Sequence, residues 1–348
     1  MNNWKFKITS SFEDIFSNNR IEQWNRFFNS AEESHVFFHS ALVKAWIDTY
    51  VQLRKIKPIF VIGRSPKNNI VFMPFVLWYR NWKNAFVKSI IPVGYSDYDY
   101  HDPIFLKKPT KEERETFWQE LIPLLRAFSV DEILIDGIVN KPQGLNMIQG
   151  EICPRLSLTS FHNSEDLLAS LKTSLRGDIR RQMRRLSEHG ELSIKIYNSF
   201  EEAKTTFEKF MIEHRAKWPN AYKAPRFHEN LLKFGLPAEI VDFTSLNVGN
   251  KQIAWHLGFK WRGKYFYYMP CGDLEFSSFS PVKIHLFKLI EQTIFNNFTL
   301  FDHLRGDETY KEGWSNGCQY VNTLKIQSTR PTTKLKNQLS EFLHRLRA

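Results

Sequence analysis

Apolar and polar positions divide this chain into segments of two kinds. One kind alternates or is continuously apolar over short runs. Val71–Tyr79 (VFMPFVLWY) follows turn residues at Ser65–Asn69 and a second apolar run, IFVIG, and the pair predicts a β-hairpin. SLNVGNKQIAWHLGF predicts another, turning at Gly249 and Asn250; in its second strand Ala254, His256, Gly258 and Lys260 share one face, and Trp255, Leu257 and Phe259 the other. The other kind has helical spacing. Ser164–Glu188 reads as one or two helices with Leu171, Leu175, Ile179, Met183 and Leu186 as the buried stripe, and a further helix begins near Glu201. The closing segment carries Leu335, Leu339, Phe342, Leu343 and Leu346 on one face and basic residues opposite. Such a helix is expected to pack on its own domain, with a membrane-surface role as the lesser alternative.

The order of these elements repeats. IIPVGYSDYDYHDP and YMPCGDLEFSSFSP each run from one proline to another eleven positions on, Pro92 to Pro103 and Pro270 to Pro281. A hairpin precedes each. A helical segment follows each, and then a short apolar strand ending in aspartate: EILID at Asp136 and FTLFD at Asp302. Strand, strand, strand, helix, strand therefore occurs twice, which points to duplication. Pro, Gly and Ser mixed with short apolar runs between positions 142 and 163 place a boundary near Leu156, giving domains 1–155 and 156–348.

Composition narrows the class. A chain of 348 residues, 42% hydrophobic and 24% charged, is long enough for about two globular domains, and 30 phenylalanines imply aromatic cores. No apolar run approaches the ~18 residues of a membrane span, and the start of the chain lacks a basic-then-apolar leader. Cys153, Cys271 and Cys318 are isolated and have no metal-ligand spacing, so no metal is expected and a reducing cytoplasm is the expected location. A formal charge of +11 favours an anionic partner: nucleic acid, a phosphorylated cofactor or an acidic membrane face.

Five stretches hold candidate chemistry. Arg176, Arg180 and Arg184 lie four apart on one face of a predicted helix, with Arg181 and Arg185 beside them. They form either a solvated helix back or a cradle for phosphates. His214, Arg215, Lys217 and Trp218 end the next helix, as a complement to its dipole or as one wall of a substrate cleft. His256 is either a satisfied strand histidine or a base, while Cys271 has no adjacent group to activate it. Ser280 and Pro281 form a helix start able to receive an anion, with Lys283 adding charge. In FTLFDHLRGDETYKEGW (Phe298–Trp314), ionisable groups follow an apolar strand; Asp302, His303 or Glu308 can accept a proton and Tyr310 or Lys311 return one. GYSDYDYHDP is expected to be a polar loop, with a share in an acceptor pocket as the alternative.

LRGDIRRQMRRLSEHGELSI, EHRAKW, SSFSPVKIHL and FDHLRGDETYKEGW, in that order, resemble the FemAB-like branch of the GNAT acyltransferase superfamily. More narrowly, they resemble its BioF2-like, CelD-type acetyltransferase domain. The resemblance covers residues 156–325 most directly. It implies an α/β (mixed α+β) chain of two tandem GNAT-like domains, each a mixed sheet flanked by helices, the first helping to bind the acceptor. It implies acetyl-CoA or another acyl-CoA as donor, lying between splayed parallel strands KYFYYMP and TLFDHL. The donor would meet Met269, Cys271, Ser280, Pro281, Lys283, Arg180 and Arg184, and the acceptor His214, Trp218 and Arg305. Catalysis would fall to His256 or Asp302 as base and Tyr310 as acid beside Lys311, with amides near Met269–Cys271 polarising the thioester. The implied acceptor is an amine, or less readily a hydroxyl, on a sugar or envelope precursor. The alternatives are a Fem-type peptidyltransferase of peptidoglycan synthesis, the one reading in which nucleic acid enters, as a charged tRNA donor, and a non-catalytic GNAT-fold binding protein. Ser280-Pro281-Val282 departs from the glycine-rich turn of classical GNAT enzymes.

Overall fold

The computed structural model describes residues 3–345; Leu346 lies outside the described residues. The chain forms two compact units, one from the chain up to Gly150 and again from Tyr320, the other from Glu151–Gln319.

The first unit opens with β1 (Lys5–Thr9), α1 (Phe12–Ile15), α2 (Asn18–Ser30) and α3 (Ser40–Tyr50). There follow β2 (Lys55–Arg64), β3 (Ile70–Tyr79), β4 (Lys88–Pro92), β5 (Ile104–Phe105), α4 (Lys111–Arg126) and β6 (Glu132–Ile138). The expected hairpin is β2–β3, closed by Ser65 N–H donating to the Asn69 carbonyl at 2.8 Å. Helix α4 starts where Thr110 and Glu113 bond each other's backbone in a capping box. Phenylalanine and tryptophan fill the interior as the composition implied: Phe28, Phe37, Trp46, Phe75, Phe105 and Trp118 are all fully buried.

The second unit contains most of β7 (Ile148–Ser157), then α5 (Ser164–Ser170), α6 (Thr173–Ser187), β8 (Leu192–Tyr197), α7 (Phe200–Lys217) and α8 (Phe227–Gly235). It continues with β9 (Val241–Val248), β10 (Lys251–Trp261), β11 (Lys264–Gly272), α9 (Pro281–Phe295), β12 (Leu300–Asp302) and α10 (Thr309–Glu312). Its strands lie in the order β7-β12-β11-β10-β9-β8; only β11 and β12 run parallel. Helices α5, α6 and α9 cover one face through Leu167, Ile179, Leu186, Ile284, Phe287 and Ile290. On the other face α7 sets Phe207 and Phe210 against Phe243 of β9.

Strand β13 (Gly317–Gln327) carries the chain back, pairing with β6 from Asn322↔Ile138 to Gln327↔Glu132, and α11 (Pro331–Arg345) follows it. The closing helix therefore packs in the first unit, where Thr333 and Lys336 bond Asp131, and not with residues 156–319 as the boundary near Leu156 predicted. A hydrophobic stripe records that a helix is amphipathic, not which body it joins. Among the described residues no helix is long and apolar enough to cross a membrane.

Candidate active site

Strands β11 and β12 are joined for three rungs, Lys264↔Leu300, Tyr265↔Phe301 and Phe266↔Asp302. There β12 ends, while β11 runs on to Gly272, so among the described residues no strand pairs with Tyr267–Gly272 on that side and the ladder stops at an open edge. Two local features part the strands. After Asp302 the chain turns out of the sheet at Leu304, whose φ is +59° and whose N–H donates to Asp302 Oδ1 at 2.9 Å. On β11 the register with β10 slips between Leu257↔Met269 and Phe259↔Phe266, so Tyr267 and Tyr268 together oppose Gly258. That is a β-bulge, which bends a strand and breaks its ladder. Gly258 is required there, because a Cβ would lie 2.4 Å from His256 Cε1 and 2.7 Å from the Phe266 carbonyl oxygen. The open edge leads to the start of α9, where a Cβ on Gly272 would sit 2.9 Å from Val282 Cγ2.

Ionisable groups gather around this parting. On the α9 face Tyr267 stacks on His256 at 4.3 Å and lies edge-on to His303. Tyr310 on α10 is 44% exposed; burial of its hydroxyl, and then the Glu308 carboxylate, raise its pKa well above the ordinary value. Lys311 is buried, its Nζ donating to the Arg305 carbonyl and pairing with Glu308 at 2.8 Å, which closes the loop from 305 to 311 on itself. On the α7 face His214 Nδ1 meets the Tyr222 hydroxyl at 2.6 Å, and His228 lies between the rings of Tyr222 and Tyr268. Burial lowers His214 to about 4 and His228 to about 3.

Residues 173–312 match the sequence profile of the acetyltransferase (GNAT) domain. FemX superposes with a TM-score of 0.60 at 12% identity, covering 90% of this chain and 98% of that one. A conserved protein of unknown function from Bacteroides thetaiotaomicron gives 0.57 at 8% identity over 92% and 100%. L-PGS from Bacillus licheniformis gives 0.54 at 9% over 93% and 96%. No curated protein matches in sequence. The chain has a GNAT/Fem-like fold.

Within that GNAT-type unit the predicted residues do not all stand ready for chemistry. His256 is fully buried with both ring nitrogens engaged: Nε2 accepts the Tyr268 N–H at 3.2 Å, and Nδ1–H donates to Tyr265 Oη at 3.1 Å. The Tyr265 hydroxyl donates in turn to Asp242 Oδ2 at 2.8 Å, and Asp242 pairs with Lys260. Burial holds His256 neutral far below its usual range, so it is a satisfied structural histidine and not a base. Met269 and Cys271 line β11, but their amides cannot polarise a thioester in the gap. Asp273 N–H bonds the Ile253 carbonyl, and alternation from that bond turns the Cys271 and Met269 amides toward β10 as well. The Cys271 thiol is pushed up to about 11 by burial and then by Glu213.

The anion seat also differs from expectation. Ser280 takes a left-handed conformation and its side chain caps nothing; Pro281 has no N–H, and the Lys283 and Ile284 amides bond the Ser280 carbonyl. Val282 is left as the first-turn amide open to an anion. Lys283 Nζ bonds Asp178 at 2.6 Å and Arg180 pairs with Glu165 at 2.8 Å, so neither is a free phosphate ligand; Arg184 is exposed without an ion pair among the described residues. Asp302 is buried at the parting with Arg155 3.9 Å away. His214 is buried and Trp218 is 51% exposed, both at the end of α7, while Arg305 gives its carbonyl to Lys311. Tyr267 joins the site beyond those predicted for it, beside His303, which the sequence offered as a proton acceptor. His303 Nε2–H donates to the Trp314 carbonyl at 3.4 Å, leaving its buried Nδ1 without a partner.

The first unit repeats the pattern with its gap closed. Strands β4 and β6 run parallel for two rungs, Ser89↔Glu132 and Ile90↔Ile133. Beyond them its own loop bonds β6: His101 N–H and Nδ1–H donate to the Gly137 and Asp136 carbonyls. The Asp102 carboxylate accepts the Val139 and Asn140 N–H groups at 2.9 and 2.8 Å. GYSDYDYHDP is thus the strap along that edge, and much of it is buried.

Proposed function

We propose that the protein is an acyl-CoA-dependent N-acyltransferase, acetyl being the expected group, acting on an amine of a sugar or cell-envelope polysaccharide intermediate. The parting of β11 from β12 after three rungs carries this reading. A pantetheine arm is an extended, amide-bearing chain, and an open strand edge complements such a chain as it would another strand. The edge ends at the α9 N-terminus, where backbone N–H and helix dipole favour an anion. In the reaction a neutral amine attacks the thioester carbon. A C–N bond forms as the C–S bond breaks, the amine loses a proton and the thiolate gains one. Tyr310 keeps its proton well past neutrality and stands exposed beside the parting, which fits it to protonate the thiolate. Asp302, where the strands separate, is the acceptor of the amine proton. Calorimetric titration with coenzyme A and acetyl-CoA, followed by radiolabelled acetyl-CoA with a panel of aminosugars, tests the reading; failure to bind either thioester carrier overturns it.

The sparse anion seat favours a second reading, in which a charged tRNA is the donor. Val282 offers a single amide and Lys283 is held by Asp178, while exposed Arg184 and half-buried Arg176 suit a longer phosphate backbone. Affinity for tRNA that falls steeply with salt, without coenzyme A binding, would establish it.

A further inference from the structure

Helix α11 lies on the first unit with its faces reversed. Thr333 is fully buried and donates to Asp131 Oδ1 at 2.7 Å; Lys336, one turn on, reaches Asp131 Oδ2 at 2.8 Å and the Phe86 carbonyl at 3.4 Å. Arg330 pins the start of the helix through the Val130 carbonyl at 2.6 Å. The inward side is therefore polar. Leu335, Leu339 and Phe342, spaced four and three apart, point to solvent at 67%, 46% and 57% exposure. A surface helix normally buries its apolar stripe against its own core. Here the stripe continues onto the neighbouring turn, where Trp82 is 56% and Phe86 65% exposed. Five large apolar side chains on one surface exceed the scattered exposure of ordinary proteins and mark an interaction site.

We propose that this surface docks on an anionic phospholipid membrane. Charge selects that occupant: Arg80–Lys88 contains three cations and no acid, and Arg330–Ala348 five cations and one acid, Glu341. With Asp131 and Glu132, which pair with Arg80, Arg330 and Lys336, counted against them, eight positive charges face three negative ones in the sequence. An apolar stripe of Leu, Phe and Trp beside basic side chains is the composition of a helix lying in a bilayer interface. The same charge argues against a second copy of the chain, because a two-fold contact sets each basic patch against itself.

Full-length protein is sedimented with vesicles of phosphatidylcholine alone and with vesicles containing about 30% phosphatidylglycerol. Partitioning is expected to be at least ~10-fold stronger on the anionic vesicles and to weaken with salt. Leu339→Glu with Phe342→Glu should abolish it while leaving the thermal midpoint unchanged, since both positions already face water. Equal binding to both vesicles, binding indifferent to the double substitution, or no vesicle binding overturns the proposal. Concentration-dependent dimerisation removed by the same substitutions, without vesicle binding, overturns it in favour of a second copy.

Discussion

Five histidines of the second unit give the fold a steep acid limit. His214, His228, His256, His285 and His303 are all buried, and burial is the largest cause of depression in each: to about 4 for His214, to about 3 for His228, His285 and His303, and far down for His256. A depressed histidine is neutral in the folded chain and protonates with a pKa near 6.5 in the unfolded one. Its stabilising contribution is therefore complete above pH 6.5 and is lost as pH falls from there toward the folded values. At pH 5.5 an unfolded imidazole is about 90% protonated, so each of the five disfavours folding by somewhat more than 1 kcal/mol, roughly 6–7 kcal/mol together. That approaches the whole stability of an ordinary domain, roughly 5–15 kcal/mol. Urea unfolding followed by far-UV circular dichroism between pH 8 and pH 5 should show a plateau above pH 7 and a collapse of stability near pH 5.5. His228→Phe, at a site lined by Tyr222, Phe227 and Tyr268, should make the slope shallower by about 1 kcal/mol per pH unit. Stability flat from pH 7.5 to 5.5, or ring protons of these five histidines that titrate near pH 6.5 in the native protein, would refute the reasoning.

Tyr310→Phe should lower kcat by ~10²–10³-fold with KM for the donor little changed, read by steady-state kinetics. Gly272→Val should weaken coenzyme A binding by ~10-fold or more, because its Cβ must displace Val282 at 2.9 Å and the Pro281 ring at 3.2 Å; calorimetry checks it, and an added Val282→Ala should restore part of the loss. His256→Gln should lower the thermal midpoint by several degrees yet leave the shape of the kcat/KM pH profile unchanged, since both ring nitrogens are occupied. Coenzyme A should bind once per chain, because in the first unit His101 and Asp102 bond β6 and the residues after it, beyond its two rungs with β4.

What the sequence disclosed and what it hid follow one physical division. Periodicity is set by the chain's own neighbours, so both hairpins, the arginine-bearing helix and the short strand closing at Asp302 were legible, as was the repeated order that sets β11 beside β12. Partners distant in sequence were not. The pattern at Ala254–Lys260 told which face His256 occupies, but not that Tyr265 and the Tyr268 amide consume both nitrogens. Lys283 looked like a phosphate ligand because Asp178, which holds it, lies over a hundred positions upstream. Even the parting depends on such a relation. The bulge exists only in the register of β11 against β10, and a one-residue slip leaves no mark in composition. Gly258 and Gly272 were its visible traces, each a position where a Cβ has no room. A glycine inside an otherwise well-formed strand is therefore the signal to weigh first, since it marks where another group must come close. Here the two fall beside the bulge and at the far end of the open edge, and so they delimit the gap that the acyl donor is proposed to fill.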